Sequence, residues 1–329
     1  MAGAPTMNDV AREAGVGLKT VSRYVNGETN INPAMAGRIA DAIAALGYRR
    51  NLAAASIRPG WTSKTLGLII SDIANPYYSV LTRAIEGYAR EHGYLVISAS
   101  SDEAGARHDV LVDRLMEQRI DALIVVPPRE KGRDWSTVPP PIPPIVFIDR
   151  PVELAGTDTV IADNAGGAQS AVAELIRNGA RRIAWVGDDL SIYTMQERYR
   201  GYALTLEAAG IAVDEELIAS TAHTSEQAAD AVGRLIDDGG ADAIFAANNR
   251  ASVGALLAFR GRGRVPLIGF DDFEAAQLST PPVSVVSQDI PEMGRLAAQI
   301  VIDRLAGAGE EPSRHVLPTT LRLRGSEKP

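Results

Sequence analysis

Between residues 65 and 306 the chain alternates between short unbroken apolar runs and longer amphipathic stretches. The apolar runs cover 66–70, 95–99, 122–126, 145–148, 160–162, 183–186, 244–247 and 267–270. Runs this short, apolar at consecutive positions, fit strands covered on both faces, which is the situation in a parallel sheet. Between most of them lie helical stretches at 77–92, 104–119, 165–178, 197–209, 226–237 and 291–306, several stopped by Gly93, Gly179, Gly210 or Gly239. This alternation predicts an α/β fold of doubly wound parallel sheets, and the strand count predicts two sheets. The proline-rich segment 126–144 reads as a surface loop.

Ahead of this body stands a small all-α head of a different pattern. Thr6 and Asp9 form a weak capping box opening a helix near Met7, with Val10, Ala11 and Ala14 as its apolar stripe. Gly15 permits a tight turn, a second helix follows over 18–26, and Gly27 stops it. Val21 and Val25 point inward, while Leu18, Lys19, Ser22, Arg23 and Asn26 make the other face. Asn32-Pro33 caps a third helix that buries Ile39, Ile43 and Leu46 and ends at Gly47. Three short helices with a tight turn between the first two describe a helix-turn-helix unit or a generic three-helix bundle. The outward face of the second helix, with its cations, small polar groups and one leucine, favours entry into a major groove.

Charge separates the two parts. The net charge of −8 divides into +3 over residues 1–60 and −11 over the remainder, a basic head on an acidic body. The chain has no cysteine, which excludes disulfides, thiolate metal sites and a cysteine nucleophile. Its 4 histidines, His92, His108, His223 and His315, are scattered without metal-ligand spacing, and no cofactor is called for. No apolar run is long enough to span a bilayer, and the opening residues lack the layout of a secretory signal. A cytoplasmic protein without membrane contact is the expectation. Catalysis finds no support. The pairs Asp188-Asp189, Asp237-Asp238 and Asp271-Asp272 are adjacent and cannot face each other, and no serine lies in a nucleophile elbow.

The stretch "TMNDVAREAGVGLKTVSRYVNG…INPAMAGRIADAIAALGYRRN" resembles the head of lac repressor family regulators. The resemblance implies that Leu18, Lys19 and Arg23 read base edges, that Thr20 and Ser22 hold phosphates, and that Asn26 belongs to the same DNA-facing set. Arg23 can pair bidentately with guanine, and Leu18 can touch a thymine methyl. Gly17 stands where the family usually has serine, forgoing a side-chain cap. Residues 51–57 correspond to the family's hinge helix, with Asn51, Ala54 and Ile57 as its DNA-binding residues and Ile57 the wedge in the minor groove. Such a segment is too short to be stable as a helix alone, so it is expected to order on DNA.

The body resembles the family's effector domain, which is like the type I periplasmic sugar-binding proteins, in segments such as "LGLIISDIANPYYSVLTRAIEGYAREHGY", "IVFIDRP" and "PLIGFDDFEAAQLSTPPVSVVSQD". The implied organisation is a helix-turn-helix DNA-binding domain at 1–50, a hinge helix and linker at 51–64, and an effector-binding and dimerisation domain at 65–329. The last divides into an N-subdomain, about 65–160 and 291–317, and a C-subdomain, about 161–290 and 318–329, joined by crossovers near 160, 290 and 318. The implied partners are double-stranded operator DNA, a second copy of the chain, and a small effector, with a sugar expected before a nucleoside. No heptad tail for a tetramer follows residue 323. A body of this kind is also compatible with a solute-binding receptor, a reading that leaves the head unexplained.

Ligands in such sheets bind beyond the carboxyl ends of the strands, which nominates the cleft residues. Asp271 ends the run "PLIGFD" and matches the family's ligand-binding aspartate, or it caps the next turn, for which Asp272 is better placed. Arg198 matches a pocket arginine, or is a solvated helix residue. Asp149 is a strand-end acceptor with Arg150 beside it, and Asn248 ends another strand as a cleft amide. Gln288, at a crossover, fits a hinge bond or a ligand bond. Tyr77 and Tyr78 could stack on a ring, or serve core or dimer contacts. Asp72 and Thr194 complete the set, while Asn75-Pro76 reads as a helix cap. Ala222 falls where relatives often carry a stacking aromatic, which implies a pocket lacking that platform.

Overall fold

The computed structural model describes residues 5–49, 62–129, 133–138, 140–152, 154, 156–308 and 311–329. The chain divides into two compact units, Met1–Ser63 and Lys64–Pro329.

In the first unit, α1 (Met7–Ala14) opens on the Thr6–Asp9 capping box and ends at Gly15, whose φ of 61° makes the turn. Helix α2 (Leu18–Val25) starts from Gly17 without a side-chain cap, and α3 (Pro33–Leu46) starts from Asn32, whose side chain accepts from the amide of Ala34. Val10, Ala11, Ala14, Val21, Ile39 and Ala42 form the core. Val25, Ile43 and Leu46 are only half-buried against it, because so small a bundle cannot enclose every apolar side chain. The expected hinge residues Asn51, Ala54 and Ile57 lie outside the described residues.

The second unit contains two six-stranded sheets. The first is built from β1 (Thr65–Ile70), β2 (Leu95–Ser100), β3 (Ala122–Val125), β4 (Ile145–Ile148), β5 (Asp158–Ala162) and β11 (Arg314–Leu317), in the order β11-β5-β4-β3-β1-β2. The second is built from β6 (Ile183–Val186), β7 (Ile218–Ala219), β8 (Ala243–Ala246), β9 (Leu267–Phe270), β10 (Ser284–Gln288) and β12 (Thr319–Arg322), in the order β12-β10-β9-β8-β6-β7. Among the described residues every pairing is parallel except β10 with β12.

Helices cover both faces of each sheet. On the first, α4 (Pro76–Glu91) and the late helix α10 (Ile290–Leu305) bury Leu81, Ile85, Met293 and Ala297 against β1, β3 and β4. On its other face α5 (Gly105–Glu117) packs Val112 and Leu115 over Leu123, Val125 and Phe147. On the second sheet, α6 (Asn164–Arg177) and α7 (Tyr193–Ala208) enclose Trp185, Phe245 and Phe270. There α8 (Ser225–Asp237) and α9 (Asn249–Ala258) cover Ile244, Leu267 and Val285. The chain passes between the sheets after β5, after β10 and between β11 and β12. At the first two passages Asp163 and Asp289 cap the following helices by accepting from the amides of Gly166 and Glu292.

This is the expected α/β architecture, with differences in detail. The expectation that every apolar run is covered on both faces fails at β2, an edge strand that leaves Leu95 65% and Ile97 40% exposed. Strands β10, β11 and β12 carry polar residues among apolar ones, and β7 is only two residues long, so all four lack the continuous run that marks a buried strand. Helix α9 hides behind its glycine. Gly254 sits where a Cβ would come within 2.4 Å of Ala228, so close packing against α8 requires the residue least favourable to a helix.

Candidate functional site

Six of the strands in the second unit end on one cavity of about 370 Å³, at the small end of the range for small-molecule sites. Its floor is built around two aspartates. Asp149 follows β4, and its carboxylate accepts from the hydroxyls of Tyr77 at 3.1 Å and Tyr78 at 3.3 Å. Asp271 follows β9 and pairs with Arg198 of α7, Nη1 to Oδ2 at 3.1 Å. Arg198 is 3% exposed, so it is no solvated helix arginine. Its Nε donates to Asn164 Oδ1 at 2.8 Å, its Nη1 to the Ala247 carbonyl at 2.7 Å, and its guanidinium lies 3.7 Å from the ring centre of Phe270. Gln288, the last residue of β10, donates its amide to Asp271 from behind and does not line the cavity. Asp272 takes the turn instead, accepting from the amide of Phe273 and pairing with Arg324 at 2.5 Å.

The wall beside Asp149 is an ion network. Arg150 grips Glu103 with both terminal nitrogens, at 2.7 and 2.6 Å, and also donates to the Pro127 carbonyl at 2.9 Å. Burial works to raise the Glu103 pKa, but the hydrogen bonds and charge of Arg150 outweigh it and hold the carboxyl below its usual value. Asp149 goes the other way, because burial raises its pKa against the pull of Arg150 and Arg198. Burial, and after it the Asp149 carboxylate, pushes the phenols of Tyr77 and Tyr78 well above their ordinary value, so both stay protonated donors.

Three contacts cross the cavity from one sheet's loops to the other's. Arg250 of α9 pairs with Asp72, which follows β1. Asn249 donates its amide to Asn75 Oδ1 at 2.8 Å. Arg129 lies 3.4 Å from the His223 ring nitrogen and 4.0 Å from Asp188. Asn75 is therefore both the cap of α4 and a member of the lining.

Of the effector candidates, Asp72, Tyr77, Tyr78, Asp149, Arg150, Thr194, Arg198, Asn248 and Asp271 line this one cavity, and Gln288 does not. Two of them differ from expectation in form. Asn248 does not end a strand: β8 stops at Ala246, and the Asn248 side chain caps α9, accepting from Ala251 at 2.8 Å. Tyr77 and Tyr78 offer no ring face for stacking, since they are 6% and 5% exposed and belong to the core beneath the cleft. Ala222 is buried at the edge of a separate cavity, while its neighbour His223 reaches the cleft. Glu103, Arg129, Asp188 and Arg250 were not anticipated. Asp188 follows β6 as Asp72 follows β1, so the strand-end rule alone would have found it. Glu103, on the loop after β2, left no such signal.

In the head, Leu18, Lys19, Ser22, Arg23 and Asn26 run along one side of α2, opposite the buried Val21, with Thr20 half-buried at its flank. Leu18 is 44% exposed on this face.

Comparison with known proteins agrees with both parts. A model of bacterial regulatory proteins of the lacI family matches residues 6–51, and a periplasmic binding protein-like domain matches 172–327. The HTH-type transcriptional regulator CelR of Thermobifida fusca is 32% identical over 98% of each chain. The ribose operon repressor of Escherichia coli is 30% identical over 98% of this chain and 99% of its own. Among solved structures, the complex of CelR with cellobiose superposes with a TM-score of 0.71 at 31% identity, covering 98% of this chain and 99% of that one. The lac repressor dimer bound to operator and an anti-inducer shares the fold with a TM-score of 0.84 at 21% identity, covering 99% of this chain and 100% of that one.

Proposed function

This chain belongs to the lacI family of bacterial regulatory proteins, as a DNA-binding transcriptional regulator and not an enzyme, and from that premise we propose how its residues divide the work. Leu18, Lys19 and Arg23 read base edges of an operator in the major groove, and Thr20, Ser22 and Asn26 bear on its backbone. Asn51, Ala54 and Ile57 bind the minor groove once the hinge orders on DNA. The protein acts in the cytoplasm as a repressor, and a saccharide in the cleft governs its grip on the operator.

The observation that carries the effector assignment is the buried Arg198–Asp271 pair on the cavity floor. A buried ion pair gives little net stability against an apolar replacement, so its presence at the strand ends is better accounted for by the polar ligand it orients. A saccharide is favoured over a nucleoside because the tyrosine and phenylalanine rings at the cleft floor are not available for stacking. Tyr77 and Tyr78 are buried, and the Phe270 face is occupied by Arg198. The CelR complex holds cellobiose, and another relative is named for ribose, both of the same chemical class.

Two copies act together, since one head makes too few contacts for useful affinity. The exposed Leu95 and Ile97 of β2, with Val80 of α4 at 40%, offer an apolar surface for a second copy.

The test is a thermal-shift screen of the full chain against cellobiose, other mono- and disaccharides, and nucleosides. A ligand at 100 times its Kd stabilises by about 2.7 kcal/mol. The expected result is a rise with one saccharide, reduced by Asp271→Asn. A rise with nucleosides alone overturns the saccharide assignment, and a rise indifferent to Asp271 overturns the placement of the site.

A further inference from the structure

A guanidinium that reads a base must arrive in the groove with the correct edge forward. Arginine is the most useful reader of guanine because its fork matches N7 and O6 together. The same length and rotamer freedom that let it reach also let it point elsewhere. Discrimination therefore depends on what holds the side chain before the base is met.

In this head Arg23 is held. Its Nε lies 2.7 Å from Glu28 Oε2, and its Nη2 donates to Asn30, to the side-chain oxygen and, at 3.3 Å, to the backbone carbonyl. Glu28 and Asn30 are outside the recognition helix. The backbone brings them back onto it: Gly27 has φ of 78°, its amide donates to the Tyr24 carbonyl, and the Glu28 amide donates to the carbonyl of Arg23 itself. This helix-ending turn fixes where the Glu28 side chain begins, one helical turn past the arginine. Together the two residues occupy Nε and the adjacent Nη2. That leaves the Nη1 hydrogens, at the far end of the fork, as donors that can be turned outward.

We propose that Glu28 and Asn30 are positioning residues for base reading, holding the Arg23 guanidinium so that it presents Nη1 to guanine. The inference rests on Arg23 being a base reader, as proposed above. Glu28 is an acid in a part of the protein that meets a polyanion. Its charge costs general affinity through repulsion of phosphates, and in return it narrows what Arg23 accepts. A carboxylate placed there to sequester Arg23 would do the opposite, lowering affinity without sharpening preference.

The test uses the full chain and duplexes selected from a randomised pool by the unmodified protein. Relative affinities are measured for every single-base variant of the selected site, with Arg23→Ala, Glu28→Gln, Glu28→Ala, Asn30→Ala and the double variant Arg23→Ala with Glu28→Ala. Thermal melting of each confirms that the head is folded, and the near-isosteric Glu28→Gln serves if the alanine variant is not. The expected result is that Arg23→Ala flattens preference at one base pair and that the Glu28 variants reduce discrimination at that same pair by about fivefold. Binding to random duplex is expected to stay equal or tighten, and the double variant to be no worse than Arg23→Ala alone. Full preference retained in the Glu28 variants, or tighter operator binding with unchanged preference, overturns the positioning role while leaving base reading by Arg23 intact. If Arg23→Ala leaves every preference unchanged, base reading by Arg23 fails and the positioning role fails with it.

Discussion

Asp149 and Asp271 occupy corresponding places in the two halves of the body. Each follows the last residue of its strand, β4 or β9, the third strand in its sheet, and each holds a left-handed backbone, with φ of 71° and 69°. The amide of each donates at 2.9 Å to a valine carbonyl of the neighbouring strand, Val160 or Val286. Aspartate tolerates this conformation better than most residues. The turn lifts the carboxylate off the strand and into the space between the sheets, so one local device used twice makes the cleft floor.

Replacing Asp271 by asparagine keeps a side chain that accepts the left-handed backbone but removes the charge opposite Arg198. The guanidinium is then left buried with a neutral partner, and stability falls by about 3 kcal/mol. Denaturant unfolding measures that loss. Effector response is expected to disappear while binding to selected DNA persists, because the head is a separate compact unit. Retained response would move the site elsewhere.

Asp72 and Arg250 tie the two sides of the cleft together at its mouth, with side chains 25% and 34% exposed. A half-exposed pair contributes at most about 1 kcal/mol. Arg250→Ala is therefore expected to favour the open arrangement and weaken effector binding by about fivefold. Calorimetric titration with the ligand found by the thermal screen measures this. Equal affinity would show that the tie does not distinguish the two states.

The tail beyond β12 is hydrogen-bonded to the second sheet. The Ser326 amide-bond oxygen accepts from Leu267 at 2.8 Å, its hydroxyl donates to the Leu267 carbonyl at 2.6 Å, and the Ser284 amide donates to that hydroxyl at 2.8 Å. Removing residues 325–329 is expected to cost about 3 kcal/mol, from these buried bonds at about 1 kcal/mol each. A melting temperature unchanged by truncation would contradict it.

His108 is 1% exposed, edge-on to Trp135, and its Nε2 has no partner. Burial lowers its pKa below the usual value, against the opposing influence of Asp109. A histidine held neutral in the fold takes up a proton more readily when unfolded. Its contribution to stability is therefore complete above the ordinary histidine pKa of about 6.5 and is lost as pH falls towards the lowered value. His108→Gln should make the fall in melting temperature between pH 7.5 and 5.5 smaller than in the unmodified chain. An identical slope would rule out His108 as its source.

The helices of the head and the central strands of both sheets were legible because their signals are local. Caps, glycine turns and unbroken apolar runs describe what a segment must do wherever it is placed. Asp149 and Asp271 could be nominated because a strand end is itself a local address, whereas Arg198, inside α7, was reached only through the family resemblance. Glu103 and Arg250 could not, since their meaning lies in Arg150, 47 residues away, and Asp72, 178 residues away. The edge strands β11 and β12 were missed for a related reason. An edge is covered on fewer sides, so its sequence is free to mix polar with apolar residues. Edge strand β7, at two residues, is too short to make a pattern.

The amino-acid order alone thus determined the central strands and most of the helices, that a basic three-helix head precedes two α/β sheets, and that Asp149 and Asp271 stand at strand ends, because each of these follows from backbone preference and burial within a few residues. Only the tertiary structure decided which acid meets which guanidinium, that Tyr77 and Tyr78 support the floor rather than stack on a guest, and that the cleft is tied at its mouth. Those pairings join residues far apart in the chain, and they depend on how two sheets crossed by three chain passages bring their strand ends face to face.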